Sequence, residues 1–463
     1  MLSGPVEAWF SGAVIDSRKA QPGDLFVPLQ GEKENGHQYI LAALEQGAAG
    51  SLLEYGEITG FSGLEFPPGK VILAVENALQ ALQRLARAHR QKFNLPVVAV
   101  TGSNGKTTTK DFIAAVLAVR FPVLKTEGNL NNHIGLPLML LRIKGEHQGV
   151  VLEMGMSGYG EIALLTSLCS PNLGVITNIG EAHLEMLGSR ANIARAKGEL
   201  LEEMAPGSTA FLNADDPFLR PMGARFPGQV CTFGFAEEAD FRALHCGFEA
   251  SGYYFTARTP SREDAESYWI PLPGRHNVYN ALAALAVGIH LQLTPREIRA
   301  GLAAAEVSAM RMERSFAGSG FWIVNDAYNA SPTSVQYALD YLVEWAGAQR
   351  KIAVLGDMLE LGEASETAHR AVGRYAAEIG VDVVFTLGER AKLVAEGALQ
   401  AGISPEHVFA CTDCEEILHR LERFVEKGVT ILIKGSRGMK MERIAATLQA
   451  RYPFIAEKEP GNS

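Results

Sequence analysis

"PVVAVTGSNGKTTTKDFIAAVL" occupies residues 96–117, and its reading decides the fold. A short β-branched run ends in two glycines three apart, followed by Lys-Thr and a segment of helical character. A strand–loop–helix of this kind aims backbone N–H groups and the positive end of a helix dipole at an anion. Gly102 and Gly105 permit the turn and a close approach of phosphate. Lys106 brings a point charge to the outer phosphates, and Thr107 offers a hydroxyl to Mg²⁺. The general phosphate loop reads G-x-x-x-x-G-K-[ST], but here Val100 stands where its first glycine belongs. The alternative, a glycine-rich turn with a solvated lysine, leaves the ordered succession of strand, Lys-Thr and helix unexplained.

Working outward, "VVLEMGMSGYGEI" puts Glu153 at the end of a second buried run. Ligands of open α/β sheets gather at such ends, and a carboxylate there suits a nucleotide's metal. The competing reading is a Glu paired structurally with a Lys or Arg. "LGVITNIGEAHLEMLGS" places His183 just past a third run, either as a ligand or as a structural histidine. Lys197, in "ANIARAKGELLE", reads from its neighbours as a solvated helix residue. In "PGRHNVYNALAALAVG", Asn277 reads as a helix N-cap, whereas Asn280 falls inside the helix, where Asn is a poor former. Asp326 in "VNDAYNASPTS" follows an apolar run, and Lys434 and Arg437 follow the run "VTILI". The last two read equally as anion-binding groups or as surface charge.

At 463 residues the chain exceeds one ordinary core, since domains run to about 100–200 residues. Apolar residues at 47% and charged residues at 20% fit a globular protein. The net charge of −10 speaks against general nucleic-acid binding, which needs a basic face. Five scattered cysteines suit a reducing compartment, and "CTDC" at 411–414 lacks a second pair at zinc spacing, so Thr412 and Asp413 are expected to cap a helix. Neither a signal-peptide pattern nor a membrane-length apolar run is read, so a cytoplasmic protein is expected.

Three units follow from the patterning. Residues 1–93 read as a small mixed module closed by a helix carrying Leu79, Leu82 and Leu85. Residues 94–308 alternate short buried runs with helices, as a mostly parallel sheet does, and "SGYYFTARTPS" and "SYWIPLPG" read as antiparallel additions. Residues 309–463 offer five strand-like runs separated by helical stretches, a second doubly wound α/β domain, with a tail expected to be disordered.

These pieces together resemble the Mur ligase family, ATP-dependent amide-forming enzymes of peptidoglycan synthesis. "TGSNGKTTT" is similar to that family's phosphate loop, including the missing first glycine, and "EGNLNNHIGLP", "EMGMSGYGEI", "NIGEAHLE", "NDAYNASPTS" and "LGDMLELG" extend the likeness across all three units. The resemblance implies three α/β domains: a small UDP-sugar-binding one, a central P-loop-type ATP-binding one with a mostly parallel sheet, and a C-terminal Rossmann-like one receiving a dipeptide. It implies UDP-N-acetylmuramoyl-tripeptide and D-alanyl-D-alanine as substrates, ATP and Mg²⁺ as requirements, and a monomer without membrane or nucleic-acid partners. On this resemblance Gly102, Ser103, Asn104, Gly105, Lys106, Thr107 and Thr108 bind the phosphates of ATP. Glu153 and Thr107 hold one Mg²⁺, and His183 helps to hold a second. Lys197 matches a lysine that becomes carbamylated, which turns a cation into an anionic oxygen ligand and reverses the reading from its neighbours. Asn277 and Asn280 fall on the adenine side. Arg311, Asp326, Tyr328 and Asn329 approach the nucleotide from the third unit. Ser17, Arg18 and His37 receive the UDP-sugar, Asn131, Asn132 and His133 line the muropeptide path, and Asp357, Lys434 and Arg437 serve the substrate. Met310 departs from the pattern, because many relatives have Gly before this Arg.

Overall fold

The computed structural model describes residues 4, 8–31, 33–63, 65–249, 252–260, 262–306, 308–317 and 319–452. The tail expected to be disordered, 456–463, lies outside the described residues. Three separate sheets organise the chain.

The first is four-stranded and parallel, in the order β1 (Gly12–Val14), β2 (Asp24–Phe26), β3 (Gly50–Glu54), β4 (Val71–Val75). Helix α1 (Ile40–Gln46) shares one apolar cluster with it, and helix α2 (Ala78–Arg90) contributes to another that includes Leu138 of the next unit. The buried stripe of α2 is Ala78, Leu82, Ala86 and Arg90, a step of four. Leu79 is half-buried and Leu85 exposed, so the expected leucine stripe is corrected: steps of three drift around a 3.6-residue helix and leave its packed face. Arg90 Nε donates to the Cys169 carbonyl at 3.0 Å and Gln83 to the His133 carbonyl at 2.9 Å, so α2 joins the first unit to the second.

The second sheet has nine strands: β5 (Val97–Thr101), β6 (Val123–Lys125), β7 (Gly149–Glu153), β8 (Leu173–Ile176), β9 (Thr209–Asn213), β10 (Gln229–Gly234), β11 (Phe241–Glu249), β12 (Gly252–Thr259) and β13 (Arg262–Ile270). Their order is β13-β12-β11-β10-β9-β8-β5-β7-β6. It is parallel from β6 to β11, and β12 and β13 add antiparallel pairs. Between these strands run α3 (Lys106–Ala118), α4 (Gly135–Leu140), α5 (Glu161–Cys169), α6 (Leu184–Leu187), α7 (Arg190–Glu203) and α8 (Leu219–Gly223). Helices α9 (Arg275–His290) and α10 (Pro295–Ala303) follow the sheet. Two large apolar clusters cover its two faces, which is why β5, β7 and β8 read as continuous apolar runs. β5 lies between β8 and β7, so its carboxyl end is a topological switch point, the place where open sheets bind ligands.

The third sheet has the order β14-β15-β19-β16-β17-β18. These are β14 (Glu313–Phe316), β15 (Trp322–Asn325), β16 (Arg350–Gly356), β17 (Val383–Leu387), β18 (Val408–Cys411) and β19 (Val429–Lys434). All pairs are parallel except β14 with β15. Helices α11 (Pro332–Ala346), α12 (Ser365–Glu378), α13 (Lys392–Gln400), α14 (Cys414–Leu421) and α15 (Glu442–Arg451) complete the unit. Asp413 caps α14 by accepting the Glu416 N–H at 2.8 Å, as the reading of "CTDC" expected.

The second and third units also meet through aromatic rings. Phe248 of β11 lies 6.1 Å from Tyr341 and 5.8 Å from Trp345 of α11, centroid to centroid, and Tyr253 donates to Glu344 at 3.3 Å. Among the described residues no helix is long and apolar enough to cross a membrane.

Candidate active site

A cavity of about 370 Å³ opens at the carboxyl end of β5, walled by the second unit on one side and the third on the other. Its floor is formed by Ser103, Asn104, Gly105, Lys106, Thr107 and Thr108, and Gly102, which precedes them, is not among its lining residues. Gly102 has φ +145° and a Cβ there would fall 1.9 Å from Thr177 Oγ1, while at Gly105, φ +80°, it would fall 2.4 Å from Asn280 Oδ1. Both glycines are therefore required by space as well as by backbone angle.

The loop is tied to the end of β8: Ser103 and Asn104 donate their backbone N–H groups to Asn178, at 2.9 and 3.0 Å. The amides left without an intrahelical acceptor are those of the first turn of α3. Lys106 Nζ folds back on the carbonyls of Gly102 and Ser103, at 2.8 and 3.2 Å. Desolvation holds its ammonium below the ordinary lysine range, with Glu153 opposing.

Glu153 is almost fully buried at the end of β7. Its carboxylate accepts from Thr107 Oγ1 at 2.7 Å and from the Asn131 amide at 2.8 Å. Arg311 Nη2 donates to the same Thr107 hydroxyl at 2.8 Å, and its guanidinium lies 4.1 Å from the Tyr328 ring centroid. Asp326 accepts the Met312 N–H and pairs with Lys434, whose Nζ also donates to the Asn329 carbonyl. Asp326 therefore serves to hold the loop carrying Tyr328 and Asn329, and both of its oxygens are engaged. Met310, φ +59°, and Met312, φ +54°, flank Arg311 in left-handed conformations. The glycine that the resemblance expects before Arg311 is explained by that angle, and this chain accepts the strain of a side chain there.

Two donors on residues that line the cavity, Asn104 Nδ2 and Arg311 Nε, are buried without an acceptor among the described residues. Buried orphan donors are rare and costly, and both belong to residues lining the phosphate end of the cavity.

On the far side of the loop, His183 has φ +68° and its Nδ1 lies 2.8 Å from Glu360 Oε2; Glu360 itself has φ +66°. The His183 hydrogen bond, the largest influence, holds the Glu360 carboxyl below its ordinary value. His183 thus has only Nε2 left for a ligand. Lys197 does not line the cavity; it is buried, and among the described residues it has no hydrogen-bond or ion-pair partner. The solvated reading of Lys197 is overturned. Burial, followed by the nearby Lys106 cation, drives its pKa well below the ordinary lysine value.

Asn277 does not cap α9; that place belongs to Gly274. Asn277 is the third residue of the helix, donating to the Pro273 carbonyl at 2.7 Å and accepting from Asn280 at 3.0 Å. Asn280 Oδ1 accepts from Thr109 at 3.0 Å, fixing α9 against α3. His276 stacks on Tyr337 at 4.9 Å with an 11° tilt, and both line the cavity. The sequence reading missed this pair, along with Ser331 and Glu360. Ser331 stands in the capping signature that opens α11 and donates to Asn104 at 3.2 Å, and Glu360 lies within "LGDMLELG".

Thr108 and Asn132 also line the cavity. The structure does not bring Ser17, Arg18, His37, His133, Asp357 or Arg437 to its walls. Arg18 is exposed and paired with Asp16, and His37 is buried between Asn35 and the Glu54 N–H. Asp357 accepts the Ala391 N–H at 2.7 Å, and Arg437 pairs with Glu442 at 3.0 Å.

Three family models match the chain in succession: Mur ligase family, catalytic domain, over residues 10–90; Mur ligase middle domain, over 100–288; and Mur ligase, glutamate ligase domain, over 310–437. The chain is 40% identical to the UDP-N-acetylmuramoyl-tripeptide--D-alanyl-D-alanine ligase of Bacillus subtilis (strain 168), over 94% of this chain and 93% of that protein. Crystal structure I of MurF from Acinetobacter baumannii superposes with a TM-score of 0.84 at 31% identity, covering 95% of this chain and 93% of that one. The MurF ligase from Thermotoga maritima in complex with ADP gives 0.82 at 29% identity, covering 95% and 97%.

Proposed function

Since the chain belongs to the Mur ligase family, we propose that its cavity activates a peptide carboxylate with ATP for amide formation. The enzyme joins D-alanyl-D-alanine to UDP-N-acetylmuramoyl-tripeptide in peptidoglycan precursor synthesis, as the ligases it resembles along nearly their full length are named for doing. The observation that carries this reading is the pair of orphan donors, Asn104 Nδ2 and Arg311 Nε, at the phosphate loop of a cavity shared by two units.

The tripeptide's terminal carboxylate attacks the γ-phosphorus of ATP, the bond to ADP breaks, and an acyl phosphate forms. The amine of D-alanyl-D-alanine then adds to the acyl carbon, and the tetrahedral adduct collapses with loss of inorganic phosphate. Lys106 and the first-turn amides of α3 offset charge on the transferring group, and such electrostatic stabilisation usually supplies most of the rate enhancement in phosphoryl transfer. Holding three substrates together supplies the rest. His276 and Tyr337 suit the adenine end, with Asn277 beside them.

The hydroxyl and carboxylate oxygens of Thr107 and Glu153 fit Mg²⁺, which when bound neutralises phosphoryl charge. A second ion would be held by His183 Nε2 and by Lys197 as a CO₂-derived carbamate. Burial, lack of a partner and a depressed pKa favour the neutral amine that such a modification needs. In this reading residues 1–93 bind the UDP-sugar, 94–308 bind ATP, and 309–463 receive the dipeptide. Ser17, Arg18 and His37 serve the nucleotide sugar, Asn131, Asn132 and His133 the peptide, and Asp357, Lys434 and Arg437 support the third unit's substrate loops. The enzyme works as a monomer in the cytoplasm.

Phosphate release from ATP is expected to require both UDP-muramoyl-tripeptide and D-alanyl-D-alanine. Release indifferent to the dipeptide would overturn the assignment.

A further inference from the structure

One face of α3 carries Thr107 and, one turn later, Asp111. Thr107 Oγ1 accepts from Arg311 Nη2 at 2.8 Å. Asp111 Oδ2 accepts from the backbone N–H and the hydroxyl of Ser308, at 3.2 and 2.8 Å. Ser308 and Arg311 are three residues apart on the segment leading from the second unit into β14. The segment is therefore clamped to the phosphate-loop helix at two points one helical turn apart.

The clamp is built on a buried base. Asp111 is fully buried, and its other oxygen takes Lys110 at 3.1 Å and Lys125 at 2.7 Å. Lys110 also donates to the Thr126 carbonyl at 2.9 Å, and Thr126 Oγ1 accepts the Glu153 N–H at 2.9 Å. Glu153 holds Thr107, which closes the ring. The left-handed backbone at Met310 and Met312 costs energy and persists only where its surroundings over-determine it. The contact at Ser308 is one of those constraints; Glu313 accepting the Met310 N–H at 3.1 Å is another.

We propose that Asp111 and Ser308 are positioning residues: they fix the interdomain segment on α3 so that Arg311 is delivered to Thr107 at the nucleotide phosphates. Neither touches substrate; both act through Arg311. The proposal rests on the reading of the cavity as an ATP site. In buried ionic surroundings, losing one hydroxyl–carboxylate bond is expected to cost about fivefold in ATP kcat/KM. Ser308→Ala should show this loss with the KM for UDP-muramoyl-tripeptide unchanged, and Ser308→Thr should restore the rate. In an Arg311→Ala background the same Ser308→Ala change should cost less than about twofold, because the group it positions is gone. An equal loss in both backgrounds, or no loss in either, would overturn the clamp. Calorimetric titration of each variant with ADP reports the clamp without using the dipeptide. Parent chain that binds ADP but does not ligate would refute the activity and leave the clamp standing; full ADP affinity in Ser308→Ala would refute the clamp alone.

Discussion

Lys197 shows how far a single residue can be read. The charged letters around it suggest a solvated helix, but Ile193, Leu200 and Leu201 lie four before, three after and four after it, and all are buried on α7. That spacing places Lys197 on the apolar stripe. The signal was present, but it lay in periodicity rather than in neighbours. Because its folded pKa is depressed, the unfolded chain binds the proton more tightly, so burial costs stability at every pH below the ordinary lysine range, about 10.4. Lys197→Met is therefore expected to raise stability by about 1–2 kcal/mol in CO₂-free buffer, seen as a higher Tm, while ligation falls about 10–100-fold. A variant less stable than its parent would contradict this account. Met310 was legible only as an anomaly: without the backbone angle, nothing in the letters says why glycine belongs there.

At the scale of elements, the buried runs of β5, β7 and β8 were legible, whereas β9, equally buried, and the marginal strands were not. β6 has three residues, and β14, "ERSF", is an edge strand with no apolar run. The start of α9 is hidden in the letters because its cap is Gly274, which has no side chain to announce it. The turn 357–361 shows chemistry that only packing reveals. His369, fully buried on α12, donates from Nδ1 to the Ser365 carbonyl at 2.7 Å and accepts the Met358 N–H on Nε2 at 3.0 Å. Only the neutral ring does both, and burial lowers its pKa. This ring steadies the turn that presents Glu360 to His183. A depressed folded pKa means the contribution is complete above about 6.5 and is lost as pH falls through the folded value, by up to about 1.4 kcal/mol per pH unit. Urea midpoints should therefore drop more steeply from pH 7 to 5 in the parent than in His369→Gln; parallel slopes would remove His369 from the explanation.

Across the whole molecule, the order of the three units was legible, but the loops that face one another were not. His183 meets Glu360, Thr333 meets Glu181 at 2.7 Å, and Ser331 meets Asn104, each pair distant in sequence. No local pattern encodes such pairings. These cleft contacts are polar, whereas the contact of Phe248 with Tyr341 and Trp345 is aromatic. Water competes for the first kind and is excluded by the second, so the aromatic side is the expected pivot when the cleft opens. Phe248→Ala should give a larger radius of gyration in small-angle scattering without nucleotide and a smaller excess with ADP present. Identical profiles for variant and parent would remove the pivot.

The ring cluster at that pivot has a further use. Trp345 packs on Phe248 from the neighbouring unit and stands edge-on to Trp322 at 5.5 Å, so its indole is a built-in optical probe. The remaining tryptophans, Trp9 and Trp269, lie in the first unit and on β13. Replacing both with Phe would leave the emission of the adjacent pair Trp322 and Trp345, of which Trp345 sits at the seam between the two units that hold the cleft. Their relative motion could then be followed in real time with no dye attached.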